Sequence, residues 1–133
     1  MARVRNGGQP LTPVLAMKQV QAIDKVRHCP VTATVQVIGG KWKPRLLWLL
    51  RRGKSTFGDL RRNVRGSERM VSKGLRELER AGVITREERR VGRMLTTHYG
   101  FTAYGRTLIP VLDAMGHWGA AHQRLSEDVR SGT

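Results

Sequence analysis

The spacing of apolar positions divides the chain into a series of helices and one pair of strands. Residues 14–27 mix apolar and polar positions at helical steps, with Val20, Ile23 and Arg27 in line. Pro30 suits the first turn of a second helix over 31–38, which Gly39 and Gly40 end. Residues 41–52 predict a third helix, with Pro44 early in it. Trp42, Leu46, Leu49 and Leu50 form the face expected to bury, and Gly53 closes it. Ser55 or Thr56 can cap a short helix over 57–63, whose Asp59 favours the positive end of the dipole. Ser67 is a good cap for the next helix, which runs to about Ala81 and stops at Gly82.

Beyond Gly82 the period changes. Residues 83–87 and 96–101 suit strands, and the polar link 88–95, with Gly92, predicts a hairpin tip. Thr102 can cap a last long helix over 103–125, in which Pro110 predicts a kink or a late start. Residues 1–10 are expected to be a disordered tail, 11–125 the folded domain, and 126–133 a frayed end. Three helices and a hairpin, flanked by helices at both ends, make a mainly α chain with a small β-hairpin, the plan of a winged helix-turn-helix.

Charge adds a partner to this plan. The chain carries 25 Lys+Arg against 10 Asp+Glu, a formal +15. Such an excess repels itself unless a polyanion offsets it, and double-stranded DNA is the polyanion a winged helix fits. In the helix after Ser67, Val71, Gly74, Leu75, Leu78 and Gly82 share one face. Arg69, Lys73, Arg76 and Arg80 lie on the other, with Ser72 at its border. Glu68, Glu77 and Glu79 sit on the flanks, unlike the alternating signs of an ordinary solvated face. Arg69, Ser72 and Lys73, near the helix start, are the candidates for base contacts, with the cap Ser67 also at the DNA; Arg76 and Arg80 suit phosphates. In the hairpin, Arg86, Arg89, Arg90 and Arg93 crowd together and would repel one another without an anion between them. Lys41, Lys43, Lys54, Arg61, Arg62 and Arg65 are further candidates for phosphate.

The ordered residues Cys29-Pro30-Val31, Ile38-Gly39-Gly40-Lys41-Trp42, Phe57-Gly58-Asp59-Leu60, Leu75-Arg76-Glu77-Leu78-Glu79, Tyr104-Gly105 and Leu108-Ile109-Pro110-Val111-Leu112 resemble the HxlR-type (MarR-like) transcriptional regulators of bacteria. The resemblance spans residues 29 to 120. It implies a homodimer with terminal dimerisation helices, each subunit bringing a winged helix-turn-helix to operator DNA. It also implies a repressor or activator, with 67–80 as recognition helix, 88–95 as wing tip and Cys29 as the family's N-terminal cysteine, through which some members sense oxidants or electrophiles. Phe101 departs from the usual smaller aliphatic, and the segment before Cys29 is longer than in many members.

The remaining readings concern partners. Leu108, Val111, Leu112, Met115, Trp118 and Leu125 make a broad stripe on the last helix. A second subunit would bury it, placing two recognition helices roughly 34 Å apart on a near-palindromic site; the alternative cover is the segment 11–26 of the same chain. Cys29, beside Arg27 and His28 at a helix start, is either an activated thiol or a buried, inert one near the dimer seam. A lone cysteine and the lack of an apolar run of roughly 20 residues suit a reducing, cytoplasmic setting, on the nucleoid and off the membrane. The four histidines are scattered and no CxxC pair exists, so no metal site or cofactor is expected. Catalysis is not expected either: His28 and Cys29 are helix neighbours that do not face each other, with no third orienting group. The rival to a sequence-specific regulator is a non-specific basic nucleoid protein; an oxidant or small-molecule effector fits the first reading.

Overall fold

The computed structural model describes residues 29–132 and, ahead of them, two short strands. These are β1 (Arg5–Asn6) and β2 (Gln9–Pro10), paired antiparallel within the segment expected to be a tail. The helix expected over 14–27 lies outside the described residues. The remaining order is α1 (Pro30–Ile38), α2 (Lys43–Leu50), β3 (Ser55–Thr56), α3 (Phe57–Val64), α4 (Glu68–Arg80), β4 (Ile84–Val91), β5 (Met94–Phe101), a 3₁₀ turn over Gly105–Leu108, and α5 (Ile109–Arg130).

Helix ends follow local chemistry. The Thr56 hydroxyl accepts from the Asp59 N–H at 3.2 Å, and the Ser67 hydroxyl accepts from the Met70 N–H at the same distance. Each satisfies a donor that the first turn would leave unpaired. Pro30, Pro44 and Pro110 all fall in first turns, where a missing N–H costs nothing. Pro110 therefore starts α5 late, after the 3₁₀ turn, and the helix runs on past Leu125 to Arg130.

The sheet departs from the expected two-stranded hairpin. It has three strands in the order β3-β5-β4, because Ser55 and Thr56 pair with Tyr99 and His98 as well as leading into α3. Two residues carry too little pattern to announce a strand. The expected loop over 88–95 is also a ladder, paired out to Val91 opposite Met94, with only Gly92 and Arg93 turning. Gly92 takes φ 63° and Arg93 does not take a positive φ, the combination of a type II′ turn that matches strand twist. The arm projects into solvent, so it has no buried face and no alternating apolar signature to betray it.

The core lies between α2, α3, α4 and the base of the sheet: Leu46, Leu47, Leu50, Leu60, Val64, Val71, Leu75, Leu78, Val83, Ile84 and Tyr99, joined by Ile38 and Leu112. Leu47 is buried, whereas Trp42 and Leu49 of the expected face are only half-buried. Where β5 passes into the last helix, the Thr102 hydroxyl donates to the Gly82 carbonyl at 2.7 Å and accepts from the Gly105 N–H at 2.8 Å. A Cβ at Gly105 would fall on the Val83 carbonyl oxygen, a backbone atom that cannot step aside alone. Gly105→Ala should therefore cost about 2 kcal/mol or more, and Leu46→Ala about 2–5 kcal/mol through the cavity it leaves. Denaturant unfolding monitored by tryptophan fluorescence measures both.

Candidate nucleic-acid interface

The site is built on α4. Val71, Gly74, Leu75 and Leu78 are buried on its inner side. Gly74 permits close approach to α2, since a Cβ there would sit 3.1 Å from the Leu46 side chain. Lys43 ties three helices together: its ammonium donates to the Gln36 carbonyl of α1 at 3.0 Å and pairs with Glu77 of α4 at 3.4 Å. The opposite face of α4 points outward as expected, with Arg69, Lys73, Arg76 and Arg80 exposed and Ser72 half-buried at the border. None of these four cations makes an ion pair among the described residues. Ser67 serves as the cap and stands at the same end of the helix as Arg69.

The turn before α4 has its own support. Arg65 closes α3 in the left-handed region at φ 54°. Gly66 then lies against Trp42, where an added Cβ would be 2.8 Å from both the indole and the Val71 side chain. Lys41 and Arg45 stand over the Trp42 ring at 5.1 and 5.4 Å. The role of Trp42 as the floor of this turn was not legible as spacing. Met70, exposed beside Arg69, is an apolar neighbour of the basic stripe that the charge pattern passed over.

The wing charges are partly neutralised, which corrects the picture of four mutually repelling arginines. Arg86 pairs with Glu88 at 2.8 Å, and Arg89 with Glu87 at 3.3 Å. Glu87 also meets Lys54 at 3.6 Å. Arg89 first, then Lys54, hold the Glu87 carboxyl below the usual carboxylate range. The Tyr99 hydroxyl, then Glu88, raise Arg86 above its ordinary value. Arg90 and Arg93 remain, exposed and with no ion pair among the described residues. Among the other candidates for phosphate, Lys43, Lys54 and Arg62 are held by Glu77, Glu87 and Asp59 respectively, while Lys41, Arg61 and Arg65 are exposed.

Of the residues named for a dimer interface, Leu112 is 3% exposed and Leu108 packs against the core, so the chain itself covers these two. Met115 and Trp118 stay exposed, and the Trp118 ring stacks on His122 with centroids 5.1 Å apart. Cys29 is exposed in the subunit rather than buried, at the N-terminal cap of α1. No cap hydrogen bond to the sulfur is formed, yet the Thr32 backbone N–H, the Thr32 hydroxyl and the Val31 N–H are disposed so that they favour the thiolate and lower its pKa, in that order of strength. Among the described residues no cluster of His, Cys, Asp and Glu could hold a metal, and no helix is long and apolar enough to cross a membrane.

The same arrangement occurs in known regulators. A family model described as HxlR-like helix-turn-helix matches residues 37–127. The uncharacterized HTH-type transcriptional regulator YdeP of Bacillus subtilis (strain 168) is 42% identical over 103 residues, covering 75% of this chain and 78% of that protein. Among solved structures, the redox regulator HypR in its reduced form superposes with a TM-score of 0.68 at 37% identity, over 74% of this chain and 98% of HypR. The HTH-type regulator YtcD does so with a TM-score of 0.66 at 38% identity, over 73% and 99%. Matched over most of its length, the chain belongs to the HxlR-like helix-turn-helix family: it is a winged-helix transcriptional regulator with a DNA-binding domain, not an enzyme.

Proposed function

We propose that this regulator binds a specific, near-palindromic operator in double-stranded DNA as a homodimer, acts as a repressor, and responds to oxidants or electrophiles through Cys29. The observation that carries the first part is the outer face of α4, where four cations without acidic partners among the described residues stand over a rigidly packed inner face. Such a helix, laid in the major groove, presents Ser67, Arg69, Ser72 and Lys73 to base edges and Arg76 and Arg80 to phosphates. The wing reaches the neighbouring backbone and minor groove through Arg90 and Arg93, and through Arg89 once its side chain exchanges Glu87 for phosphate.

The homodimer rests on α5. Val111, Met115, Trp118, Leu125 and Val129 are all exposed. Their spacings of four and three residues, with His122 filling the gap, align them along one side of the helix. Trp118, at 71% exposure, is a large apolar surface that a partner would cover. A repressor role follows where the operator overlaps a promoter. The redox reading rests on an exposed, pKa-lowered thiol, and it gains support from likeness to HypR, a redox regulator. A lone cysteine per chain makes the oxidised product a mixed disulfide, an adduct, or a Cys29–Cys29 bond between subunits.

Gel-shift titration on the chain's own upstream intergenic DNA, against a scrambled fragment at physiological salt, tests the central reading. A preference of about a thousandfold is expected; equal binding to both, together with a genome-wide map lacking discrete sites, would establish the non-specific alternative. Arg69→Ala should weaken binding and relax base preference. Arg90→Ala should weaken all sequences alike and lower the salt slope by about one. Trp118→Asp should shift the dimer to monomer in analytical ultracentrifugation while keeping the helical circular dichroism. For the thiol, the alkylation rate with iodoacetamide should fall as pH drops through a midpoint below the ordinary value of about 8.5. Cys29→Ser should keep DNA binding but abolish its loss on oxidant treatment, and a variant that still lost binding like the wild type would remove Cys29 from the response.

A further inference from the structure

The outer end of the wing carries apolar surface that charge recognition leaves unexplained. Val91, Met94 and Leu95 are 74%, 68% and 55% exposed, and none belongs to the core. They surround the Gly92–Arg93 turn of an arm whose inner part is Glu, Arg and Thr. The register sets Val91 opposite Met94 and Leu95 opposite Arg90. Alternation along the strands then puts Val91 and Met94 on one face of the arm and Leu95 with Arg90 on the other. The tip is thus an apolar blade on both faces, flanked by two arginines with no ion pair among the described residues. Three large apolar side chains held in water at the end of a two-stranded arm gain nothing for the isolated subunit.

Resting on the proposed function, we infer that this tip is a wedge for the DNA minor groove, with Met94, Leu95 and Val91 packed on deoxyribose and base edges. The groove matches the blade in both respects. Its rims are phosphates with a strongly negative potential between them, which suits Arg90 and Arg93. Its walls are the C–H faces of the sugars, which suit thioether and aliphatic side chains. Continuity with the recognition helix favours DNA as the occupant: β4 leaves α4 directly through the turn at Gly82, so a duplex engaged by α4 lies beside the arm. Size dictates the consequence. Two paired strands are about 4.8 Å apart before side chains are added, and the undistorted groove is only about 6 Å wide. Seating the blade therefore opens the groove, partly unstacks a base step and bends the duplex toward the major groove by roughly 20–90°. Sites with a flexible TA or CA/TG step under the wing are favoured, because those steps deform most easily.

The test uses the full chain and an end-labelled duplex carrying its footprinted site, with energy transfer between the ends reporting the bend and titrations at several salt concentrations reporting affinity. The triple variant Val91→Ser, Met94→Ser, Leu95→Ser is expected to lose about tenfold or more in affinity with the salt slope unchanged, and to lose most of the bend. Arg90→Ala instead lowers the slope by about one. The variant Met94→Leu, which keeps the apolar volume, retains both affinity and bend. These side chains lie outside the core, so thermal unfolding of the triple variant should match the wild type. Wild type that binds its site without bending it overturns the wedge and leaves the regulator intact. A triple variant that bends and binds as wild type overturns it as well, as does one that instead changes the sedimentation of the DNA-free protein and so marks the tip as a contact between copies. Failure of the wild type to bind any duplex overturns the regulator and the wedge together.

Discussion

The contact between α4 and α2 carries the rest of the molecule. A basic helix can serve as a reading head only if its inner side fixes its rotation and height, and here Val71, Leu75 and Leu78 are buried against Leu46, Leu47 and Leu50. Gly74 lets the two helices close up over the Leu46 side chain. Lys43 adds a polar tie from the same helix, reaching both α1 and Glu77. Because interiors are packed like crystals rather than liquids, a shift of α4 would be felt by every one of these partners. The cations on the outer face inherit that rigidity, which the proposed reading of a specific site requires.

The charges are sorted by what neutralises them. Glu77, Glu87, Glu88, Asp59 and Asp113 each pair with a Lys or Arg of the chain. Surface pairs of this kind contribute little stability each, typically 0–1 kcal/mol. Their effect is to keep some basic side chains committed within the chain while others stay available. On α4 and at the wing tip the available ones face outward together. The net charge of +15 is therefore less informative than its division into held and free cations.

Between α4 and the last helix runs a short junction. Thr102 bonds both Gly82 and Gly105, and the Gly105 backbone lies against the Val83 carbonyl. The wing root, the end of α4 and the start of α5 thus meet at one place. Arg51 adds a second link: it lies over the Trp48 ring at 3.7 Å and pairs with Asp113 of α5 at 3.3 Å. The start of α5 is thereby joined to the end of α4 and the wing root at one point and to α2 at another.

Much of this was legible in the sequence because it is local or periodic. The inner and outer faces of α4 follow from a 3.6-residue repeat, its cap from Ser67, the late start of α5 from Pro110, and the family from an ordered set of short motifs. What the sequence could not decide depends on which groups meet across the chain. Leu108 and Leu112 are as apolar as Met115 and Trp118, and only packing assigned the first pair to the core and left the second pair exposed. The arginines of the wing look alike until β4 runs extended through 86–89, which sets Arg86 and Glu88 on one face and Glu87 and Arg89 on the other, where Lys54 also reaches Glu87. The ladder of the wing itself was hidden because a solvated arm carries no hydrophobic alternation, and the edge strand at Ser55–Thr56 because two residues have no period. Periodicity fixes which face of an element is apolar; it is the tertiary structure that decides which apolar faces find cover and which charges pair at long range, as Lys43 with Glu77, Arg51 with Asp113 and Lys54 with Glu87, since these are properties of neighbours distant in sequence.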